Sequence, residues 1–132
     1  MQFNMIINGS KVDTERHFNV YNPATEEIIA RCPVATEENL NAAVAAAREA
    51  FTAWSKTSDD QRKEKVNALA DIISNNMNEL AQLITKEQGR PLDGMGFGSF
   101  AEVGGSEYWT RCSAELTLPI EIAEETDTHR AE

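Results

Sequence analysis

A chain of 132 residues with 41% hydrophobic and 26% charged side chains has the length and polarity balance of one soluble globular domain. Its net charge of −10, with no cluster of Lys or Arg, excludes the electropositive face that nucleic acid or an anionic membrane requires. No stretch reaches the ~18 apolar residues of a membrane span.

The N-terminal MQFNMIINGSK lacks the charged start and long apolar run of a signal peptide. The two cysteines make no disulfide framework, so reduced thiols in a cytoplasmic protein are expected. Residues 3–12 predict strand, turn, strand. Asn8-Gly9 sits between Met5-Ile6-Ile7 and Lys11-Val12, and both residues accept the positive φ of a type I′ turn. A further strand is predicted over 17–21 (HFNVY), where Phe18 and Val20 alternate with polar neighbours. Asn22-Pro23-Ala24-Thr25 is a turn by composition. Residues 27–34 (EIIARCPV) resume extended structure, with Pro33 at its edge or end. His17 has no second ligand at metal spacing and is expected to be packed or solvated.

Thr36 reads as a helix N-cap, with Glu37 and Glu38 complementing the helix dipole in the first turn. Leu40, Ala43, Val44, Ala47, Phe51 and Trp54 follow at helical spacing, a stripe expected in a core rather than at a cofactor. The polar SKTSDD closes that helix. The longest helical signal then runs over 58–89, opened by the capping box of Ser58 and Gln61. Val66, Leu69, Ala70 and Ile73 form one apolar stripe. Asn75-Asn76 interrupts it, since asparagine tolerates the left-handed conformation that ends helices. Leu80, Leu83 and Ile84 renew the stripe until Gly89, with Pro91 beyond as a stop.

Residues 92–99 hold Gly94, Gly96 and Gly98. A phosphate-cradling glycine loop follows a buried strand, and here a helix precedes it. The segment is expected to be a flexible connector, or a frayed helix start where glycine lets backbones approach. Phe100, Val103, Trp109, Cys112 and Leu116 give a looser helical stripe, in which Gly104 and Gly105 each cost on the order of 1 kcal/mol. Residues 117–122 (TLPIEI) alternate like a strand. The final AEETDTHRAE, read alone, is a disordered acidic tail.

Chemistry is sparse. Arg111 beside Cys112 on a helix, and Arg31 beside Cys32 on a strand, point away from the thiol, so both cysteines are expected to be packed and inert. Glu37-Glu38 and Glu124-Glu125 read as solvated charge. No His/Cys/Asp/Glu set has zinc spacing.

The ordered segments Ile7-Asn8-Gly9, Tyr21-Asn22-Pro23-Ala24-Thr25 with Glu27-Ile28-Ile29-Ala30, and Pro33-Val34-Ala35-Thr36 carry a resemblance. It continues through 42–51, Ala53-Trp54-Ser55, Asn78-Glu79-Leu80-Ala81 and Glu87-Gln88-Gly89-Arg90-Pro91-Leu92. Together they resemble the N-terminal part of the aldehyde dehydrogenase superfamily, across the chain to about Arg130. The resemblance implies an α+β, mainly α fold: an N-terminal β-hairpin and edge strands (1–35), a helical region of three to four helices (36–116), and a C-terminal strand or tail entering an oligomerisation arm (117–132). It implies separate helices over 58–75 and 77–89.

The family oxidises an aldehyde to a carboxylic acid with NAD(P), using a cysteine thiolate, a glutamate-activated water and an asparagine oxyanion hole. Those parts lie outside this chain, and Cys32 and Cys112 do not match the nucleophile's motif. No catalytic, cofactor-binding or metal residue is therefore carried over, and no cofactor is expected on this chain alone. Some members hold a monovalent cation at places matched by Val20, Tyr21 and Glu87, with a remaining ligand outside this chain. The expected function is a catalytically incomplete N-terminal fragment of an NAD(P)-dependent aldehyde dehydrogenase. The alternative is a stand-alone helical interaction or oligomerisation module. In either case self-association through exposed apolar helix faces is expected, without nucleic acid or membrane.

Overall fold

The computed structural model describes residues 2–95, 97–117, 123–126, 128 and 130–131. Strands β1 (Met5–Ile7) and β2 (Ser10–Val12) form an antiparallel hairpin with Ile7 opposite Ser10. Asn8 and Gly9 take φ of 50° and 73°, the positive pair that a type I′ turn demands. Strands β3 (His17–Tyr21) and β4 (Ile28–Pro33) form a second antiparallel pair, with a bulge between Val20 and Tyr21. Pro33 closes β4, where its missing N–H interrupts no ladder. The connecting loop is pinned by Asn22, whose side chain accepts from the Ala24 amide at 2.9 Å and whose carbonyl accepts from Glu26 at 2.7 Å. Residues Gln2 and Phe3 lie along the outer edge of β4, where the Phe3 amide donates to the Arg31 carbonyl at 3.1 Å. That third lane is invisible to periodicity.

Helix α1 (Glu37–Trp54) starts at Thr36, which exchanges hydrogen bonds with Asn39 in a full capping box. No residue of α1 is buried. Its alanines face β1 across a shallow crevice, and Leu40, Val44, Phe51 and Trp54 stand exposed. The stripe expected in a core is thus uncovered here, because among the described residues no other element lies over it.

Helix α2 (Asp59–Asn75) begins with the Ser58–Gln61 box, at 3.2 and 3.0 Å. It gives way at Asn76 to α3 (Met77–Gln88). Asn76 is not left-handed as anticipated: its φ is −108°, and its side-chain amide instead donates to the Ile72 carbonyl at 2.8 Å. A side chain satisfying the last-turn carbonyl ends the helix without the αL turn. Gly89 does take the left-handed stop, at φ 71°. Helix α4 (Ser99–Glu115) packs on both α2 and α3. The buried residues at this three-helix junction are small: Ala70, Ala81, Ser99, Val103 and Ala114. Gly104 and Gly105 lie within α4 and do not break it.

The segment before α4 is folded rather than a loose connector. The Phe97 amide donates to Gly94, Ser99 to the Pro91 carbonyl and Phe100 to the Leu92 carbonyl. Gly98 lets these backbones meet: a Cβ there would sit 2.7 Å from Asp93 Cα. The predicted strand over 117–122 falls on residues 118–122, outside the described residues. The acidic tail is not structureless throughout, since β5 (Glu124–Glu125) pairs antiparallel with β6 (Arg130–Ala131).

Candidate functional site

Cys32 sits on β4 opposite Phe18, half-buried. It lines a cleft of about 210 Å³ with Phe3, Val20, Ile29, Ala30, Leu83 and Glu87. That volume falls short of a typical small-molecule pocket, about 300–1,000 Å³. A thiol nucleophile needs a base within hydrogen-bond reach. The nearest histidine in register, His17, pairs with Pro33 one step along the ladder. Successive side chains on a strand face opposite ways, so His17 and Cys32 lie on opposite sides of the sheet.

His17 has a different partner. Its Nε2 lies 2.8 Å from Asp13 Oδ1, across the turn from β2 to β3. Asp13 also accepts from the Thr14 amide at 2.8 Å and from Gln2 at 3.1 Å. Chiefly that backbone hydrogen bond, with His17 adding to it, holds the Asp13 carboxyl below the usual range. The constellation clasps the hairpin to β3. The spacing Asp-x-x-x-His gave no signal of it, since the two residues flank a turn.

Cys112, on α4, accompanies Tyr108 one turn earlier. Hydrogen bonding between them pushes the phenol above its ordinary range, so Tyr108 stays protonated and is no base for the thiol. The acidic groups serve structural partners. The Thr36 hydroxyl holds Glu38 below the usual carboxylate range. Glu102 pairs with Arg90, tying α4 to the chain after α3, while Thr85 and the buried Ser99 share a hydrogen bond of 2.8 Å. Arg111 bridges Asp71 of α2, at 2.7 Å, and Glu107 of its own helix. Asp71 is the main cause of its raised pKa.

The glycine segment cannot cradle a phosphate in this arrangement. At the start of α4 the amides of Ser99 and Phe100 are already bonded to Pro91 and Leu92 carbonyls. A dinucleotide diphosphate needs those donors free. This helix start therefore does not fit a dinucleotide diphosphate. Among the described residues no three His, Cys, Asp or Glu side chains converge on a metal position. Of the positions matched to a monovalent cation, Val20 and Glu87 border the Cys32 cleft, and the bulge falls between Val20 and Tyr21. Glu87 is the one carboxylate lining that cleft, so any oxygen shell built from it is partial. A cleft of about 480 Å³ around Thr14, Glu15, Arg16, Val34, Thr36 and Asn39 has neither cysteine nor histidine in its lining.

The model of the aldehyde dehydrogenase family matches residues 10–118. A probable aldehyde dehydrogenase of Pseudomonas sp is 40% identical over 127 residues, which is 96% of this chain and 25% of that protein. The solved structure of 3,6-anhydro-L-galactose dehydrogenase in complex with NAP superposes with a TM-score of 0.85 at 24% identity, covering 98% of this chain and 28% of that one. An aldehyde dehydrogenase from Bacillus cereus (G224D mutant) gives a TM-score of 0.79 at 32% identity, over 92% and 26%. The chain spans a quarter or less of the length of the curated relatives it matches.

Proposed function

Because this chain belongs to the aldehyde dehydrogenase family, we propose that it is the N-terminal structural portion of an NAD(P)-dependent enzyme oxidising an aldehyde to a carboxylic acid, and that these 132 residues do not turn over substrate alone. The observation that carries the reading is the near-complete superposition of this chain on about a quarter of family structures. NAD(P), where the complete enzyme binds it, accepts the hydride. This portion contributes packing: the clasped hairpin, the β3–β4 ladder and the three-helix junction form a scaffold edge.

The accessible surface supports a missing neighbour. It is 10382 Å², against about 6,900 Å² for a compact monomer of this mass. In the family reading the exposed Leu40, Val44, Phe51 and Trp54 lie under the rest of the enzyme. The same exposure favours the second reading, a non-catalytic interaction or oligomerisation module, in which copies of this chain cover each other's helix faces. The two free thiols, Cys32 and Cys112, support a reducing, cytoplasmic setting for either.

The test combines NAD(P)H formation over a panel of aldehydes, cofactor titration and sedimentation velocity on the purified chain. No turnover and no cofactor binding are expected. Aldehyde-dependent NAD(P)H formation lost on Cys32→Ser or Cys112→Ser would overturn the proposal.

A further inference from the structure

We propose that Asn8 is a site of spontaneous deamidation, and that its conversion loosens the N-terminal hairpin from α1. Asn8 is exposed at the tip of the turn, and its side-chain amide makes no hydrogen bond among the described residues. Gly9 has no heavy atom beyond its chain neighbours within 4 Å of the position a Cβ would take, so the turn stands clear on that side. No other asparagine in the sequence precedes glycine, and Asn22 precedes Pro23, which has no N–H to lose. The ladder holding the turn is three residues per strand, with Ile6 65% exposed. So short a hairpin opens locally, which frees Asn8 from its turn conformation.

The reaction is a ring closure followed by hydrolysis. The Gly9 nitrogen gives its proton to solvent and bonds to Asn8 Cγ. The Cγ–Nδ2 bond breaks, and the amide leaves as ammonia after taking up a proton. Water then opens the five-membered imide at either carbonyl, giving an aspartyl or a β-aspartyl linkage at position 8. Water is the sole co-reactant and nothing is oxidised.

The β-aspartyl product runs the main chain through the former side chain, adding one atom to a two-residue turn. The Ile7–Ser10 pairing that sets the register cannot then be kept with the same turn. Asn8 also borders the crevice between Ile6, Ile7 and the alanines of α1. A new negative charge arises there on a chain already at −10.

The experiment incubates the intact chain in mildly alkaline buffer at body temperature, and maps each asparagine by peptide mass spectrometry with electron-transfer fragmentation. Position 8 is expected to convert roughly tenfold faster than Asn41 or Asn67. Converted molecules are expected to be cut by trypsin after Lys11 sooner than unconverted ones. Gly9→Ala is expected to slow the reaction, and Asn8→Gln to abolish both the mass change and the gain in trypsin sensitivity. The inference is overturned if position 8 persists while other asparagines convert, or if Asn8→Gln gains trypsin sensitivity at the unsubstituted rate. Mapping the unsubstituted chain decides the site even where a variant folds poorly.

Discussion

Replacing Gly98 by alanine tests whether the segment before α4 is a built joint. A methyl group there would lie 2.7 Å from Asp93 Cα, 2.8 Å from the Leu92 carbonyl oxygen and 2.9 Å from the Asp93 carbonyl carbon. All three are backbone atoms, and the Ser99–Pro91 and Phe100–Leu92 hydrogen bonds, at 2.9 and 3.2 Å, hold that backbone in place. No side chain can rotate out of the way. Gly98 itself has φ −78° and ψ 173°, which alanine adopts freely, so the penalty is steric and not torsional. Overpacking of this kind costs about 1–3 kcal/mol. Gly105 supplies the internal control. It lies inside α4 with nothing within 4 Å of its Cβ position, so Gly105→Ala should gain about 1 kcal/mol of helix propensity. Urea unfolding followed by far-UV circular dichroism measures both. Opposite shifts of the midpoint are expected. If both variants moved the same way, or Gly98→Ala changed stability by less than about 0.5 kcal/mol, the close approach of these backbones would be refuted.

Three further outcomes follow from the caps, the clasp and the exposed stripe. Ser58→Ala removes the acceptor for the Gln61 amide and should cost about 1 kcal/mol in the same unfolding assay. Asp13 has its pKa lowered from an ordinary 3.8. The clasp's contribution is therefore complete above that value and disappears as pH falls through the lowered one. Asp13→Asn should flatten the pH dependence of the hairpin's amide chemical shifts between about pH 5 and pH 2, and an unchanged titration would exclude the clasp. Leu40→Glu with Phe51→Glu places charge on the uncovered face of α1 and should shift sedimentation toward monomer while leaving helix content intact. Concentration-dependent association that survives the double change would place the contact elsewhere.

The local codes were legible because each is complete within a few residues. Asn8-Gly9 carries its own φ preference, Ser58 and Gln61 satisfy each other's amides, and Gly89 ends α3 for want of a Cβ. Asn76 ends α2 through a side-chain bond to Ile72 that composition alone did not distinguish from a left-handed cap. The Asp13–His17 clasp, the Arg90–Glu102 pair and the lane of Gln2 and Phe3 along β4 depend on how elements meet, and no spacing encodes them. At Cys32, strand alternation already turns Arg31 to the other face of the sheet. The position of His17 on the opposite side needed the register of β3 against β4.

Reading the α1 stripe as core went astray, whereas Val66, Ile73, Leu80, Leu83 and Ile84 on α2 and α3 are half-buried. Where helices of this chain meet each other, the buried residues are alanine, serine and valine, which let the axes approach closely. Several bulky side chains instead face outward: Leu40, Phe51 and Trp54 on α1, Trp109 and Leu116 at α4. Burial of one such side chain is worth about 1.5–3 kcal/mol, so leaving several uncovered forfeits much of the stability a domain can hold. Alanines at a helix crossing therefore mark neighbours within this chain, and in the proposed reading the large exposed stripes meet the rest of the enzyme. In that reading the division between small inward and large outward residues makes the outward faces of α1 and α4 the part of the molecule that a neighbour stabilises most.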